Sequence, residues 1–510
     1  MQQRLKYFES NYFTIMETYS QKVPFYEKIG YSLGDCSANL VFQMMMIYQT
    51  KFYTDVFGLE GAIAGTVMLI ARIVDAFVDP TVGILSDRTQ SRYGKYRPWI
   101  LWTALPFMVF YVLAFYNPNI EDKGLVALYA TVSYTLLMTM YSFNNTPYSS
   151  LGGVMSGDIK ERTSITSIRF IAATIAQFVV QGLTLPLVSK FSEGSDKSHG
   201  WLCTVSLFAT IGFVFLLIAA FSAKERIAPP AGQKPNIRQD IKDVFGCIPW
   251  RAMFVLTLFV FITLAMWGSA MNYYFENYVD ANALYAFLDH TGLVQPTPSD
   301  SFSYTLLNAF GLIVDSPEHA YEVGFGMFNM VGALVQFIGV ILLSEFLANR
   351  YGKKRVFIIC LSLTAVFTAM FCLPRPTDIR TIFWLNVLKS LAYAPTVPLL
   401  WAMIADVADY SEYTNRRRAT GFVFSGVVFA LKAGLGIGGA LLGFLLSGFG
   451  YEAANGIQQT GTAVNGIVLS SSIIPACFFL IGVIALRFYP ISKAYNESIQ
   501  KELAERRKQI

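Results

Sequence analysis

Three ionisable residues share one apolar stretch, "IARIVDAFVDPTVG" at 70–83, where Arg72, Asp75 and Asp79 stand three and four positions apart. On a helix turning about 100° per residue they fall within about 60° of one another. The two carboxylates are then roughly 6 Å apart along the axis. A charge at the centre of a lone inserted helix costs about 2.5–3.5 kcal/mol, so the stripe must face a bundle interior or a wet cavity. Two such carboxylates can ligate Na⁺, or one of them can hold a proton, because like charges at close range raise a pKa. Either way the chemistry is capture of one small cation. The structural alternative is an ion pair of Arg72 with one aspartate, which leaves the other without a partner. Pro80 leaves a backbone carbonyl without its helical donor, a further oxygen for a cation.

Other polar residues interrupt apolar runs. "YSFNNTPYSSLGG" (141–153) carries Tyr141, Ser142, Asn144 and Asn145; "GDCSANL" (34–40) carries Asp35 and Asn39. Arg169 and Lys432 are single bases in apolar surroundings, and Gly434, Gly436, Gly438 and Gly439 beside Lys432 permit close helix contact. The aromatics of "MNYYFENYV" (271–279) suit either a sugar face or an interfacial belt. The six cysteines are scattered, which predicts neither disulfides nor a cysteine metal site. His199, His290 and His319 fall in loops, so carboxylates are left for ion chemistry inside the spans.

The elements that hold these residues follow from composition. The 510-residue chain is 54% hydrophobic and only 14% charged, against about 25% charged in soluble domains. Apolar runs near the ~20 residues that cross a bilayer recur along it. The fold expected is an all-α membrane protein with twelve transmembrane helices, at about 29–54, 60–86, 98–117, 124–150, 164–190, 201–222, 251–278, 321–348, 355–373, 380–404, 419–448 and 464–489. Of the 39 Lys and Arg, 28 fall in the tails and alternate loops on one side and five in the opposite loops. That bias puts both termini in the cytoplasm. "RYGK" at 92–95 returns at 350–353, and "RTS" at 162–164 is echoed by "RATG" at 418–421 at nearly the same offset. Two echoes in matching places predict two six-helix pseudo-repeat bundles. The expected organisation is a cytoplasmic tail (1–28), an N-terminal bundle (29–222), a cytoplasmic linker (223–250), a C-terminal bundle (251–489) and a cytoplasmic tail (490–510). Residues 1–28 lack the apolar core of a signal peptide. The long extracytoplasmic loop 279–320 reads as a tolerated insertion rather than a cap over the outer mouth.

"FYTDVFGL", "ARIVDAFVDPTVG", "SRYGKYRPWIL", "ADVADYSEY" and the Lys432 segment together resemble the glycoside–pentoside–hexuronide:cation symporters, melibiose permease relatives within the major facilitator superfamily. The resemblance is strong over 29–170, patchier over 250–489, and specific to family rather than substrate. It implies a cation site at Asp75, Asp79 and Ser142, with the two aspartates as metal ligands if Na⁺ is the coupling ion. It implies substrate contacts at Asn39, Tyr141, Asn145, Ser149, Arg169 and Lys432, and gating positions at Arg72, Asp87, Arg88, Asp406 and Asp409. Asn39 and Asn145 replace carboxylates, Ser149 replaces a stacking Trp and Val78 an Asn; the first two changes argue against melibiose, the third weakens the case for Na⁺. Two acids exchanged for amides leave Arg169 and Lys432 short of counter-charge, which a uronide carboxylate would balance.

The function expected is secondary active transport: a sugar or glycoside, a hexuronide included, moves with Na⁺ or H⁺ by alternating access. No cofactor and no nucleic acid is expected. Partners are the sugar, a monovalent cation and membrane lipid, and the protein is a monomer in a bacterial inner membrane. A lipid or drug exporter on the same scaffold is the alternative. The polar Asn39, Tyr141 and Asn145 argue for sugar. An enzyme would need a catalytic constellation in its loops, and a channel would need charged rings or a filter motif; the sequence has neither.

Overall fold

The structure, a computed structural model, describes residues 22–156, 159–192, 196–226, 244–295, 297, 301–415, 420–452 and 458–508. Most of the expected N-terminal tail, the middle of the linker and the side chain of Asp87 lie outside the described residues. Within them the chain is helical, with isolated bridges at Ser91–Gly94 and Val294–Val314 as its strand pairing.

The N-terminal half holds α1 (Phe25–Ile47, continued by Gln49–Asp55), α2 (Gly61–Arg88), α3 (Arg97–Ala114), α4 (Lys123–Val154), α5 (Ile159–Phe191) and α6 (Lys197–Ser222). The C-terminal half holds α7 (Ile248–Asn277), α8 (Ala320–Tyr351), α9 (Lys353–Ala369), α10 (Ile379–Tyr393 and Thr396–Asn415), α11 (Thr420–Gly448) and α12 (Gly461–Ser471 and Ile473–Ala485). Eleven of these are long and apolar enough to cross a bilayer. The twelfth is α1, diluted by Glu27, Lys28 and Asp35; charges that serve the interior lower the hydropathy of the helix that carries them. Side-chain caps start several helices: Asp122, Asp196 and Thr460 accept from Leu125, His199 and Ala463 backbone N–H groups. Pro98 and Pro249 occupy first-turn positions where no N–H is needed. The α10 break lies at Ala394–Pro395, because proline has no N–H to continue the ladder. α10 also runs to Asn415, past the expected end at 404, since a helix need not stop where the hydrocarbon does.

The packing repeats. α1 lies against α5 and α6 as α7 lies against α11 and α12; α2–α4, α3–α4 and α3–α6 recur as α8–α10, α9–α10 and α9–α12. The halves meet through α2–α11 and α5–α8, again a symmetric pair. Small residues allow this approach: a Cβ on Gly61 would sit 2.6 Å from the Gly443 carbonyl, one on Gly65 2.7 Å from that of Ala440, and one on Gly326 2.6 Å from that of Gly182.

All these contacts lie toward the face opposite the described chain ends, here the distal face. There Thr54 and Tyr273 share a 2.8 Å hydrogen bond, Ser269 donates to the Met46 carbonyl at 2.7 Å, and buried Lys51 pairs with Asp55 at 2.6 Å and with Glu276 of the other half. On the terminal face, Glu27–Arg226, Lys28–Glu161 and Lys353–Asp406 each close within one half. The Glu27 carboxylate beside Arg226 raises that guanidinium's pKa further. The halves are thus sealed distally.

The described part of the 279–320 segment is largely helical. It forms helices Ala281–Asp289 and Phe302–Ala309 and buries Leu284 and Leu288. Lys190 of α5 reaches Asn308, and Gly311 packs on the Pro186 carbonyl, so the segment fastens across to the N-terminal half. The C-terminal helix Lys493–Lys508 docks on α10: Ile499 and Leu503 are buried, and Asn496 donates to Asp406 at 3.0 Å.

Candidate functional site

The stripe on α2 forms. α2 runs unbroken through Pro80 and turns Arg72, Asp75 and Asp79 toward α4 and α11. Asp75 is 1% exposed. Its Oδ1 accepts from the Ser142 hydroxyl of α4 at 2.6 Å, its Oδ2 lies 3.1 Å from Lys432 Nζ, and Arg72 stands 4.0 Å away. Asp79, with a quarter of its side chain exposed, also contacts Lys432. Lys432 therefore sits between the two aspartates, brought there by the glycine-lined contact of α11; a Cβ on Gly436 would strike the Arg72 side chain. Asp79 Oδ1 is buried without a hydrogen-bond donor, and Asp75 Oδ2 has the Lys432 ammonium at ion-pair distance but no hydrogen bond. Two carboxylates with spare lone pairs and a hydroxyl make an all-oxygen set suited to a hard monovalent cation or a proton.

A second cluster lies on the neighbouring face of α4. Asp35 of α1 binds Arg169 of α5 through both oxygens, with Nη2 at 3.1 Å, and accepts from the Tyr148 hydroxyl at 2.7 Å. Tyr148 stacks on Tyr31 at 4.6 Å, and the Arg169 guanidinium lies over both rings, at 5.4 Å from Tyr31 and 5.2 Å from Tyr148. Asn39 donates to the Asp35 carbonyl at 2.9 Å, and Asn145 to the Tyr141 hydroxyl at 3.5 Å. Both amides are half-buried and keep polar valence for a ligand. Tyr141 packs edge-on to Phe107 at 5.8 Å.

One expectation needs correction. Arg169 and Lys432 are not short of counter-charge: Asp35 neutralises the first, and Asp75 and Asp79 the second. The argument for a uronide through those two bases falls with that. Lys432 joins the aspartates of the α2 stripe, and the buried side chain of Arg72, expected at a gating position, lies in the same stripe. Ser149 is exposed, with no hydrogen bond among the described residues. Arg88 is exposed at the end of α2. Asp406 closes on Lys353 and Asn496 inside its own half, and Asp409 lies half-buried one turn on. Asp35, Tyr31 and Tyr148 went unassigned. The signal for Asp35 was present, an acid ten residues into a spanning helix, but its partner is 134 positions away and no local spacing names it.

The comparisons agree with this architecture. The sequence pattern of the family described as MFS/sugar transport protein matches residues 30–297 and 318–493. The inner membrane symporter YicJ of Escherichia coli (strain K12) is 33% identical over 482 residues, covering 94% of this chain and 95% of that protein. The isoprimeverose transporter of Lactiplantibacillus pentosus is 31% identical over 473 residues, 92% of this chain and 90% of that protein. In fold, the crystal structure of the nucleoside transporter NupG superposes with a TM-score of 0.58 at 14% identity, covering 92% of this chain and 100% of that one. With both halves matched and relatives aligned over nearly their whole length, the chain belongs to the MFS/sugar transport protein family and is a membrane transporter of the major facilitator fold, not an enzyme.

Proposed function

We propose that this protein couples entry of a glycoside to a monovalent cation across a bacterial inner membrane, with both termini in the cytoplasm. The distally sealed arrangement is then the inward-facing state. The observation that carries the coupling is on α4: Ser142 donates to Asp75, and Tyr148, less than two turns on, donates to Asp35 of the Asp35–Arg169 cluster, with Asn145 of the same helix bonded to Tyr141. On this reading one helix would serve both a cation site and a sugar site. Coupling is a reciprocal free energy, so each ligand tightens the other's binding.

Lys432 supports a specific cycle. When a cation binds Asp75, Asp79 and Ser142, the ammonium is displaced; when the cation leaves, Lys432 returns to neutralise the carboxylates, and the halves can rock back without buried bare charge. The Ala76 carbonyl, left without a donor by Pro80, is a further oxygen for the ion. Sugar hydroxyls are read by Asn39, Asn145 and the Asp35–Arg169 pair.

The test is uptake by energised vesicles of a panel of glycosides, pentosides and uronides, with and without Na⁺ and with the proton gradient collapsed. Asp75→Asn and Asp79→Asn should each abolish cation-driven accumulation while leaving some sugar exchange. Unchanged accumulation in both variants removes the assignment. The exporter reading has no comparable support: it needs an apolar groove between helices, whereas the interior here is ringed by paired charges.

A further inference from the structure

Of the bases inside the spans, Lys51 has Asp55 and Glu276, Arg72 has Asp75, Arg169 has Asp35, and Lys432 has both stripe aspartates. Arg487 is exposed at the end of α12. Lys389 of α10 differs. It is only 8% exposed, yet among the described residues it meets no carboxylate and no hydrogen-bond acceptor. Its Nζ instead lies 2.9 Å from the ring centroid of Trp267 on α7. That indole is wedged by Phe328 at 6.3 Å and Phe371 at 6.0 Å, and its Nε1 is itself buried without an acceptor.

Lys389 and Trp267 lie at the same level, each roughly 15 Å from the distal end of its helix at 1.5 Å per residue. That is about the middle of a ~30 Å hydrocarbon layer. Two donors without acceptors therefore lie side by side at mid-depth in the C-terminal half, one of them a full positive charge held, among the described residues, by the indole face alone. A structural lysine would be paired; a neutral side chain of the same length would pack there at lower cost. Donors without acceptors match a ligand that brings acceptors and negative charge, and a carboxylate does both.

We propose that Lys389 and the Trp267 indole N–H form an anion-recognising subsite in the C-terminal half, which selects glycosides bearing a carboxylate over their neutral counterparts. This rests on the glycoside-transport reading above but not on which cation is used. It replaces Arg169 and Lys432 as the source of such selectivity. The sugar ring would be held by the Asn39 and Asn145 side of the N-terminal half, and its acid group by Lys389, so that the ligand bridges both halves.

The experiment is calorimetric titration of the purified full-length protein with matched methyl glycosides and methyl uronides in the gluco and galacto series, alongside acetate. In at least one series the uronide should bind about tenfold tighter than the neutral sugar. Lys389→Met should bring that ratio to about one with Tm at or above that of the wild type. Lys389→Arg should keep the preference, and Trp267→Phe should keep part of it. The subsite is overturned if Lys389→Met retains the preference, if its only effect is a lower Tm, if no uronide binds, or if acetate competes as well as the uronide. Asp79→Asn separates the two readings. It should lose cation-driven accumulation and keep the uronide preference, whereas a wild type that binds uronides through Lys389 but accumulates no sugar on any cation gradient sinks the transport reading alone.

Discussion

At the scale of single residues, the two clusters differ in how they respond to loss of charge. Asp35 holds Arg169, Tyr148 and, through its backbone, Asn39. Asp35→Asn leaves the half-buried Arg169 guanidinium without its counter-charge. Sugar binding by titration should fall at least tenfold, with a lower Tm. Lys432→Met acts otherwise, because each of its aspartates retains another route to neutralisation, by an ion or by a proton. Cation affinity should rise several-fold while net uptake collapses, since the ion-free protein can no longer return; counterflow exchange of labelled sugar should persist. Cation binding weaker than in the wild type would contradict the role given to Lys432. The α2 stripe was legible in the sequence because its spacing is local: Arg72, Asp75 and Asp79 share one helix. The partners of Asp35 and the isolation of Lys389 were not, because they depend on helices more than a hundred residues apart, or, for Lys389, on which neighbours are missing.

At the scale of elements, helix number and the half-repeat could be read from apolar length and from the two echoed motifs, and the packing pairs follow the repeat. Ends and breaks were less legible. Helices outrun the hydrocarbon at α10, and the Pro395 break interrupts what composition presents as one span. The folded 279–320 segment hides behind loop-like residues, its hold on α5 visible only once Asn308 and Lys190 meet. The contacts between halves depend on absent side chains. Gly65→Leu would push α2 from Ala440, and Gly443→Leu would strike both Gly61 and Gly65. Either should keep the distal face from closing. Transport should fall at least tenfold with the protein still in the membrane, and a cysteine placed at Ser189 or Ser192, which line the distal cavity of about 470 Å³, should label faster from outside.

At the scale of the whole molecule, the seal is biased by charge. Lys51 ties α1 to Glu276 across the halves while keeping Asp55 within its own helix. Glu276→Gln removes the crossing bond without stranding Lys51. It should shift the equilibrium toward the distally open form by about tenfold, near 1.4 kcal/mol. Faster labelling at Ser192→Cys together with weaker intracellular retention of sugar would register it; unchanged labelling would mean that the glycine contacts alone hold the face shut. The Lys432 arrangement reaches further. Arg72 and Lys432 cancel Asp75 and Asp79, so the stripe as built is electrically neutral. With a neutral sugar, a sodium ion or proton joining it gives the laden stroke one more positive charge than the homeward stroke, whereas a carboxylate on the sugar cancels that difference. For the neutral cargo, transmembrane voltage, worth about 2.3 kcal/mol per charge per 100 mV, then favours the inward haul over the return, and a cell with a negative interior would load this carrier in one direction even when the ion itself is no more abundant outside than in.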